Sequence, residues 1–570
     1  MVNKYFYNIS ITITGVLFLI FMLSSLGFIL HLGITPLYVL ISALIGLFYL
    51  RKVSDTYYDF LKQVLILILI TGFSYFVSLF FLDSTTDGRS YHAASMILLK
   101  NGWNPIYDSI RDITAQNGLY LFNTQWGDWY VKFCEILGAN IYKLTGYIES
   151  TKTTNWLMFF AVFMYVYSVL NSFAPEKPVL KFLTAFISVI NPVCLCQLLT
   201  NYIDINMYYA FVLLIFTIMN IEKNSFTKTN GVLIVMSSVI LSNCKLTGSF
   251  YLALALLCWF IYRLINKKSV KNVMVTGLIS LVFIAAAGIN PYYTNFKSFG
   301  NAFHPIMGKY KMAVAEINFP QGFREKTHLG RFFLGHFAES GNSIGKWEIT
   351  QKPVHLKMPF TILEYADSFT MPDMRTGGFG YFWGGILILA LIILPFIRFK
   401  NKEDKKIFLL MLVLILITTI LNPHNWWARY VPQLWLLPVI IFLFSNLNVD
   451  DNEKFHSFKA VLNMTVLFVI LYNCGVIALQ NTYYNFIFQL HNRIFLDKIE
   501  KIAVPKCIYF MQIDVSTYFT DETIKPHLKE RNIKMVPVPL DFEKIDSHEF
   551  QSLQPHHFVY NQYYFYKKIN

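Results

Sequence analysis

Two aspartates with an arginine and a histidine close behind them form the run Asp83-Ser84-Thr85-Thr86-Asp87-Gly88-Arg89-Ser90-Tyr91-His92. The run follows directly on the apolar stretch 64–82, so its ionisable side chains fall where a membrane helix meets water. A carboxylate at such a boundary can work on a lipid-borne substrate while its polar end stays hydrated. Beside a cation it remains ionised at neutral pH and can accept a proton as a general base. Asp87 is the first candidate for that role and Asp83 the second. A lone boundary carboxylate can equally be a solvated surface group.

Other polar residues gather in connections that fall on the same side of the chain. Asn201-Tyr202-Ile203-Asp204 occupies a tight turn and makes Asp204 a third candidate acid. Lys245 lies in a second turn, and Asn422-Pro423-His424-Asn425-Trp426-Trp427-Ala428-Arg429-Tyr430 forms a third. Trp126-Gly127-Asp128-Trp129 and Lys132-Phe133-Cys134-Glu135 add acids within the first long connection. Arg89, His92, Lys245, His424 and Arg429 are candidate contacts to an anionic donor, because charge-assisted hydrogen bonds stabilise a phosphate. The plainer alternatives are an arginine that snorkels to head groups and aromatic residues that belong to the interfacial belt.

The elements that must position these residues are membrane helices. Of the 570 residues, 55% are hydrophobic and only 14% charged, which excludes a water-soluble globule. Apolar stretches occur at 9–30, 34–50, 64–82, 155–173, 180–199, 205–220, 229–243, 248–264, 272–289, 380–398, 407–421, 431–446 and 459–479. Most are near the length needed to cross a bilayer as helix. They predict an all-α polytopic membrane protein of about thirteen transmembrane helices. Stretch 229–243 is short and holds Ser237, Ser238 and Ser242, which suits a broken or re-entrant helix. The first stretch lacks a small-residue cleavage pattern and reads as a retained helix.

Lysine and arginine set the orientation. With the N-terminus in the cytoplasm, the inside loops hold Arg51, Lys52, Arg263, Lys267, Lys268, Arg398 and Lys400 among others. The short outside turns hold only Lys245 and Arg429. Regions 83–154, 291–379 and 481–570 then share the outer side. The formal charge of +14 follows from the loop excess, which faces anionic lipid head groups and calls for no nucleic acid. Cys194-Leu195-Cys196 lacks the spacing of a metal site, and neither metal nor cofactor is expected. Residues 1–480 read as a transmembrane catalytic domain and 481–570 as a small extracytoplasmic α/β appendage. Strands are expected near 506–511 and 533–538, with a helix at 518–528 between them.

Acids, cations and indoles on one face fit the transfer of a sugar from a lipid phosphate. That reaction needs a base for the acceptor hydroxyl, cations at the departing phosphate and aromatic walls for the sugar. Nucleotide sugars are held in the cytoplasm, so an outward-facing enzyme needs a polyprenyl-linked donor.

In this layout the chain resembles membrane glycosyltransferases of the GT-C superfamily, the group that includes protein O-mannosyltransferases and the aminoarabinose transferases of lipid A. The resemblance rests on Thr86-Asp87-Gly88-Arg89-Ser90-Tyr91-His92 and on the polar turn with proline at Asn101-Gly102-Trp103-Asn104-Pro105. Asn201-Tyr202-Ile203-Asp204 is similar to a second acidic turn, and Ala428-Arg429-Tyr430-Val431-Pro432 to the start of a late helix. It implies an inverting transfer from a polyprenyl-phosphate sugar donor to a glycan, lipid or protein acceptor, on the outer face of a bacterial inner (cytoplasmic) membrane. Asp87 would be the base, with Asp83 the weaker candidate, and Lys245 and Arg429 would hold the phosphate. Many members carry a contiguous acidic pair, whereas here Asp83 and Asp87 are separated, which speaks against metal dependence.

Two other functions compete. An O-antigen or capsule polymerase would use outside arginines and histidines such as Arg324, His328, Arg331 and His336. A lipid-linked sugar flippase or transporter would line its helices with ionisable residues, and these stretches hold almost none.

Overall fold

A computed structural model describes the chain except for residues 1, 84, 117–123, 314–315, 343–352, 365–366, 448–455, 503–506, 513–523, 538–549, 554–562 and 569–570. Its body is a helical bundle, and the protein is a multi-span membrane protein. Seven helices among the described residues are long and apolar enough to cross a bilayer: Val2–Ile29, Pro36–Val53, Tyr57–Phe80, Ile148–Ser172, Asp204–Asn224, Leu246–Ile265 and Ser457–Lys501. The pair Lys271–Ala287 and Ile289–Phe299, bent by 83°, makes an eighth if it is one span.

The expected thirteen is therefore corrected to seven or eight. Apolar length alone does not reveal where a helix stops. Stretch 180–199 is broken at Asn191-Pro192 into Pro178–Val189 and Pro192–Gln197, because proline lacks the donor to continue the ladder. The Asn191 side chain accepts from the Val193 N–H at 2.9 Å and caps the second piece. Stretch 380–398 becomes Trp383–Ile393 followed by a tight turn at Leu394–Phe396, and 431–446 starts with a similar turn at Pro432–Trp435. Lys402–Ile420 is long enough but opens on five charged residues. Lys228–Cys244 is one unbroken helix of 17 residues, not a broken or re-entrant one.

Burial separates the centre of the bundle from its rim. The apolar window of Asp204–Asn224 is 94% buried, whereas those of Pro36–Val53 and Tyr57–Phe80 are each 17% buried. The former is the axial helix of the bundle, and the latter two present their side chains to lipid.

The expected start of the α/β appendage at residue 481 is corrected too. The last helix, His456–Ile502, runs for 47 residues, or about 70 Å, straight through residue 481. Beyond it, the short strands Cys507–Gln512, Lys534–Pro537, Phe550–Leu553 and Tyr563–Lys568 pair, the first parallel to the second and antiparallel to the fourth. Helix Ile524–Glu530 is docked on the membrane body rather than set apart from it. Glu530 accepts from the Ile148 N–H at 3.0 Å, and His527 Nε2 lies 3.0 Å from Glu149 Oε1.

Candidate functional site

The acidic run is shaped by its first member. Asp83 is buried, and its carboxylate accepts from the Thr85 N–H at 2.8 Å and hydroxyl at 2.6 Å. Its other oxygen accepts from the Asn201 N–H at 2.7 Å. Asp83 thus ties the first acidic turn to the second, and it does not line the cavity described below. Its own backbone N–H donates to Glu149 at 3.1 Å. Burial pushes the Asp83 carboxyl above the usual range, against the pull of Lys152. A Cβ at Gly88 would collide with the Asp83 carboxylate, which its hydrogen bonds hold in place, so this turn favours glycine.

Gly88–Ala93 then winds as a π-helical turn into helix Ala94–Lys100. In a π turn, residues five apart lie nearly above one another, which sets Asp87 and His92 on a common side. Both line a cavity of ≈ 240 Å³.

Trp126 and Tyr130 of the first long connection line it too, and charged residues enter it from four other stretches. Asp204 comes from the N-terminus of the axial helix, Lys245 from the turn before Leu246–Ile265, and Arg429 from the turn after Lys402–Ile420. Asp373 and Arg375 come from the end of the 291–379 region. The guanidinium of Arg429 is the hub. Its Nη1 lies 2.9 Å from Asp373 Oδ1, 3.5 Å from Asp87 Oδ2 and 4.0 Å from Asp204 Oδ2. Lys245 pairs with Asp204, which also accepts from Gln197 at 3.0 Å. Arg375 Nε meets Asp373 Oδ2 at 2.5 Å. Aromatic faces complete the wall: Arg429 lies 4.7 Å from the Trp427 ring centroid, and Lys245 3.8 Å from that of Tyr430.

Three carboxylates therefore face three cations in a largely buried site, where each charge is felt more strongly than in bulk water. Burial pushes the Asp87 carboxyl upward, with Arg429 opposing, so Asp87 is a stronger base than a hydrated carboxylate. Burial lowers Lys245, and Asp204 only partly offsets it. For Arg429 burial also acts downward, but Asp373 and Asp204 outweigh it and hold the guanidinium charged. Arg429 Nε is buried with no hydrogen-bond partner among the described residues. His92 Nδ1 lies 2.6 Å from Glu135 Oε1, which leaves Nε2 for the cavity.

Asp87, His92, Asp204, Lys245 and Arg429 are thus brought together, and the other expected residues are not. Arg89 turns its Nε to the Thr85 carbonyl at 3.1 Å, and its guanidinium carbon lies 6.0 Å from the Phe488 ring centroid. His424 sits behind the wall with its ring 5.7 Å from that of Tyr430, and burial lowers its basicity. Asp128 braces the chain by accepting from the Ile110 N–H at 2.9 Å. His328 and His336 bind the backbone carbonyls of Asn422 and Asn425, and neither lines the cavity.

Asp373 and Arg375 are absent from the sequence expectations. Their signal was an acid and a base two residues apart in Pro372-Asp373-Met374-Arg375, just ahead of an apolar stretch. That is the criterion that singled out Asp87. Among the described residues, no three His, Cys, Asp or Glu side chains group as ligands for a metal ion. Compared with known proteins, the chain matches no family model, no curated protein and no solved structure. What the site offers chemically is a part-buried carboxylate base beside fixed cations, walled by aromatic faces.

Proposed function

We propose that the protein transfers a sugar from a polyprenyl-phosphate donor to a glycan, lipid or protein acceptor, on the exterior face of a bacterial cytoplasmic membrane. The observation that carries this reading is that Asp87, Lys245 and Arg429, from three distant turns, share one aromatic-walled cavity. Asp87 takes the proton of the acceptor hydroxyl as that oxygen attacks the anomeric carbon. The bond from this carbon to the phosphate oxygen breaks, and its electron pair leaves with the phosphate. Attack from the face opposite the phosphate inverts the anomeric centre. Lys245 and Arg429 meet the negative charge that grows on the leaving group. Asp204 and Asp373 keep the two cations in place before the donor arrives. The choice of face rests on the lysine and arginine excess in the opposite loops.

The test is reconstitution of the purified protein in liposomes with a panel of polyprenyl-phosphate sugars. Release of free polyprenyl phosphate, coupled to glycosylation of an added acceptor and lost in Asp87→Asn, is the expected result. No release from any donor by the wild-type protein would remove the reading.

A further inference from the structure

We propose that residues 356–363, with the outward side of helix His328–Phe337, lie immersed in the bilayer leaflet on the cavity's side of the membrane. Region 291–379, which contains them, otherwise reads as an aqueous loop.

The first observation is an inversion of the usual polarity. Leu356, Met358, Phe360, Ile362 and Leu363 all point outward, Met358 being 73% exposed. The charges of the same segment point inward. Lys357 Nζ meets Glu364 Oε1 at 2.5 Å, with side chains only 7% and 1% exposed. A loop in water does the reverse, because charged groups are almost never buried in preference to apolar ones. A segment that hides its ion pair and displays its apolar side chains has its polarity set for hydrocarbon.

The second observation is the neighbouring helix. Leu329 and Phe333, four residues apart and so on one side of His328–Phe337, are both exposed. The segment is bound to that helix through the Lys357 N–H, which donates to the Phe337 carbonyl at 2.9 Å.

The third is continuity with a lipid-facing surface. Helix Trp383–Ile393 and its terminal turn Leu394–Phe396 rise about 21 Å, too short for a hydrocarbon core of about 30 Å. Ile388, Leu391 and Ile392 are exposed along it. At its start, Gly385 lies against the Phe360 ring with no room for a Cβ, and a Cβ on Gly384 would fall 3.4 Å from Phe337. The segment therefore sits where the short helix runs out and extends its apolar face. The immersion is shallow, since irregular backbone is not tolerated in the lipid centre. Its depth is that of an interfacial helix, at the boundary of head groups and acyl chains. The occupant is phospholipid, and nothing in this inference depends on the reaction proposed above.

The test uses the full-length protein in phospholipid nanodiscs, with a nitroxide on Met358→Cys. Leu391→Cys serves as the lipid reference and Glu325→Cys, on an exposed loop residue, as the water reference. Protein without an added cysteine sets the background. Collisions with dissolved oxygen and with a water-soluble nickel chelate are compared. We expect position 358 to fall between 391 and 325, with more oxygen contact and less nickel contact than 325, as a shallow site requires. Nickel contact at 358 equal to that at 325 would overturn the proposal. Should Met358→Cys fail to fold, Leu363→Cys is read in its place by the same criterion.

Discussion

The axial helix Asp204–Asn224 carries a buried carboxylate at each end, and the two ends have been put to different use. At its C-terminal end, Glu222 accepts from Arg263 at 2.6 Å, Lys268 at 3.0 Å and the Trp259 indole at 2.7 Å. Lys268 continues to Glu403, and Lys223 meets Asp404 at 2.6 Å. At its N-terminal end, Asp204 meets Lys245 and Arg429. A carboxylate, two cations and an aromatic partner are common to both. The Asp204 end opens on a cavity, adds two further carboxylates around a single guanidinium, and leaves a buried guanidinium N–H without a partner among the described residues. A buried ion pair alone is a poor marker of a site. Unsatisfied polar groups around enclosed space are a better one.

Substitutions at the two ends should separate these roles. The largest effect is expected from Asp87→Asn, which keeps size and removes basicity. Transfer should fall by ~10²–10⁴-fold with the melting temperature unchanged. Turnover near the wild-type level would deny Asp87 the role of base. Next is Arg429→Ala, expected to remove about 2–4 kcal/mol of transition-state stabilisation, read as a fall in kcat. Arg429→Lys should rescue it poorly, because a point charge does not replace a planar fork. If Arg429→Ala and Lys245→Ala both leave kcat and donor KM untouched, those cations only organise the fold.

At the opposite end, Glu222→Gln should cost roughly 3 kcal/mol of stability, the lower end for a broken buried pair, since Lys268 still reaches water. The folded fraction, quantified by size exclusion, should turn over normally. A loss of kcat there would erase the distinction between the two ends. Asp83→Asn sits between the classes. It should cost about 1–3 kcal/mol in stability, with a smaller loss of turnover than Asp87→Asn.

The smallest effect concerns pH. Burial raises the Asp87 carboxyl, so the ionised base is lost as pH falls through that raised value. The acid limb of kcat/KM should therefore lie above the range of a hydrated carboxylate. Arg429 opposes this rise, so Arg429→Ala should move the limb to still higher pH. A limb that moves the other way would mean that a different group is titrating.

Much of the cavity was legible because polar residues at the margins of apolar stretches are few, and membrane helices bring their ends to one level. Asp87, Asp204, Lys245 and Arg429 share that property. Asp373 and Arg375 share it too, but the irregular region before them hid their place in the fold. Asp83 looks in sequence like a second base, since nothing there shows that its oxygens are taken by the Thr85 and Asn201 amides. His424 is aromatic-packed behind Tyr430 for a similar reason: a turn's sequence does not say which side chain faces in. The helix count failed on prolines and charges inside apolar stretches.

The contact between His527 and Glu149 joins residues 378 positions apart, and Glu149 in turn receives the Asp83 amide. The chain leaves the ribosome from its N-terminus, so the turn that carries Asp87 is translated early and braced late. Until helix Ile524–Glu530 has emerged and settled, that turn lacks its outer support. A copy that ends before helix Ile524–Glu530 would keep the ties of Asp83 to Thr85 and Asn201 but lack the contact that holds Glu149 from the other side.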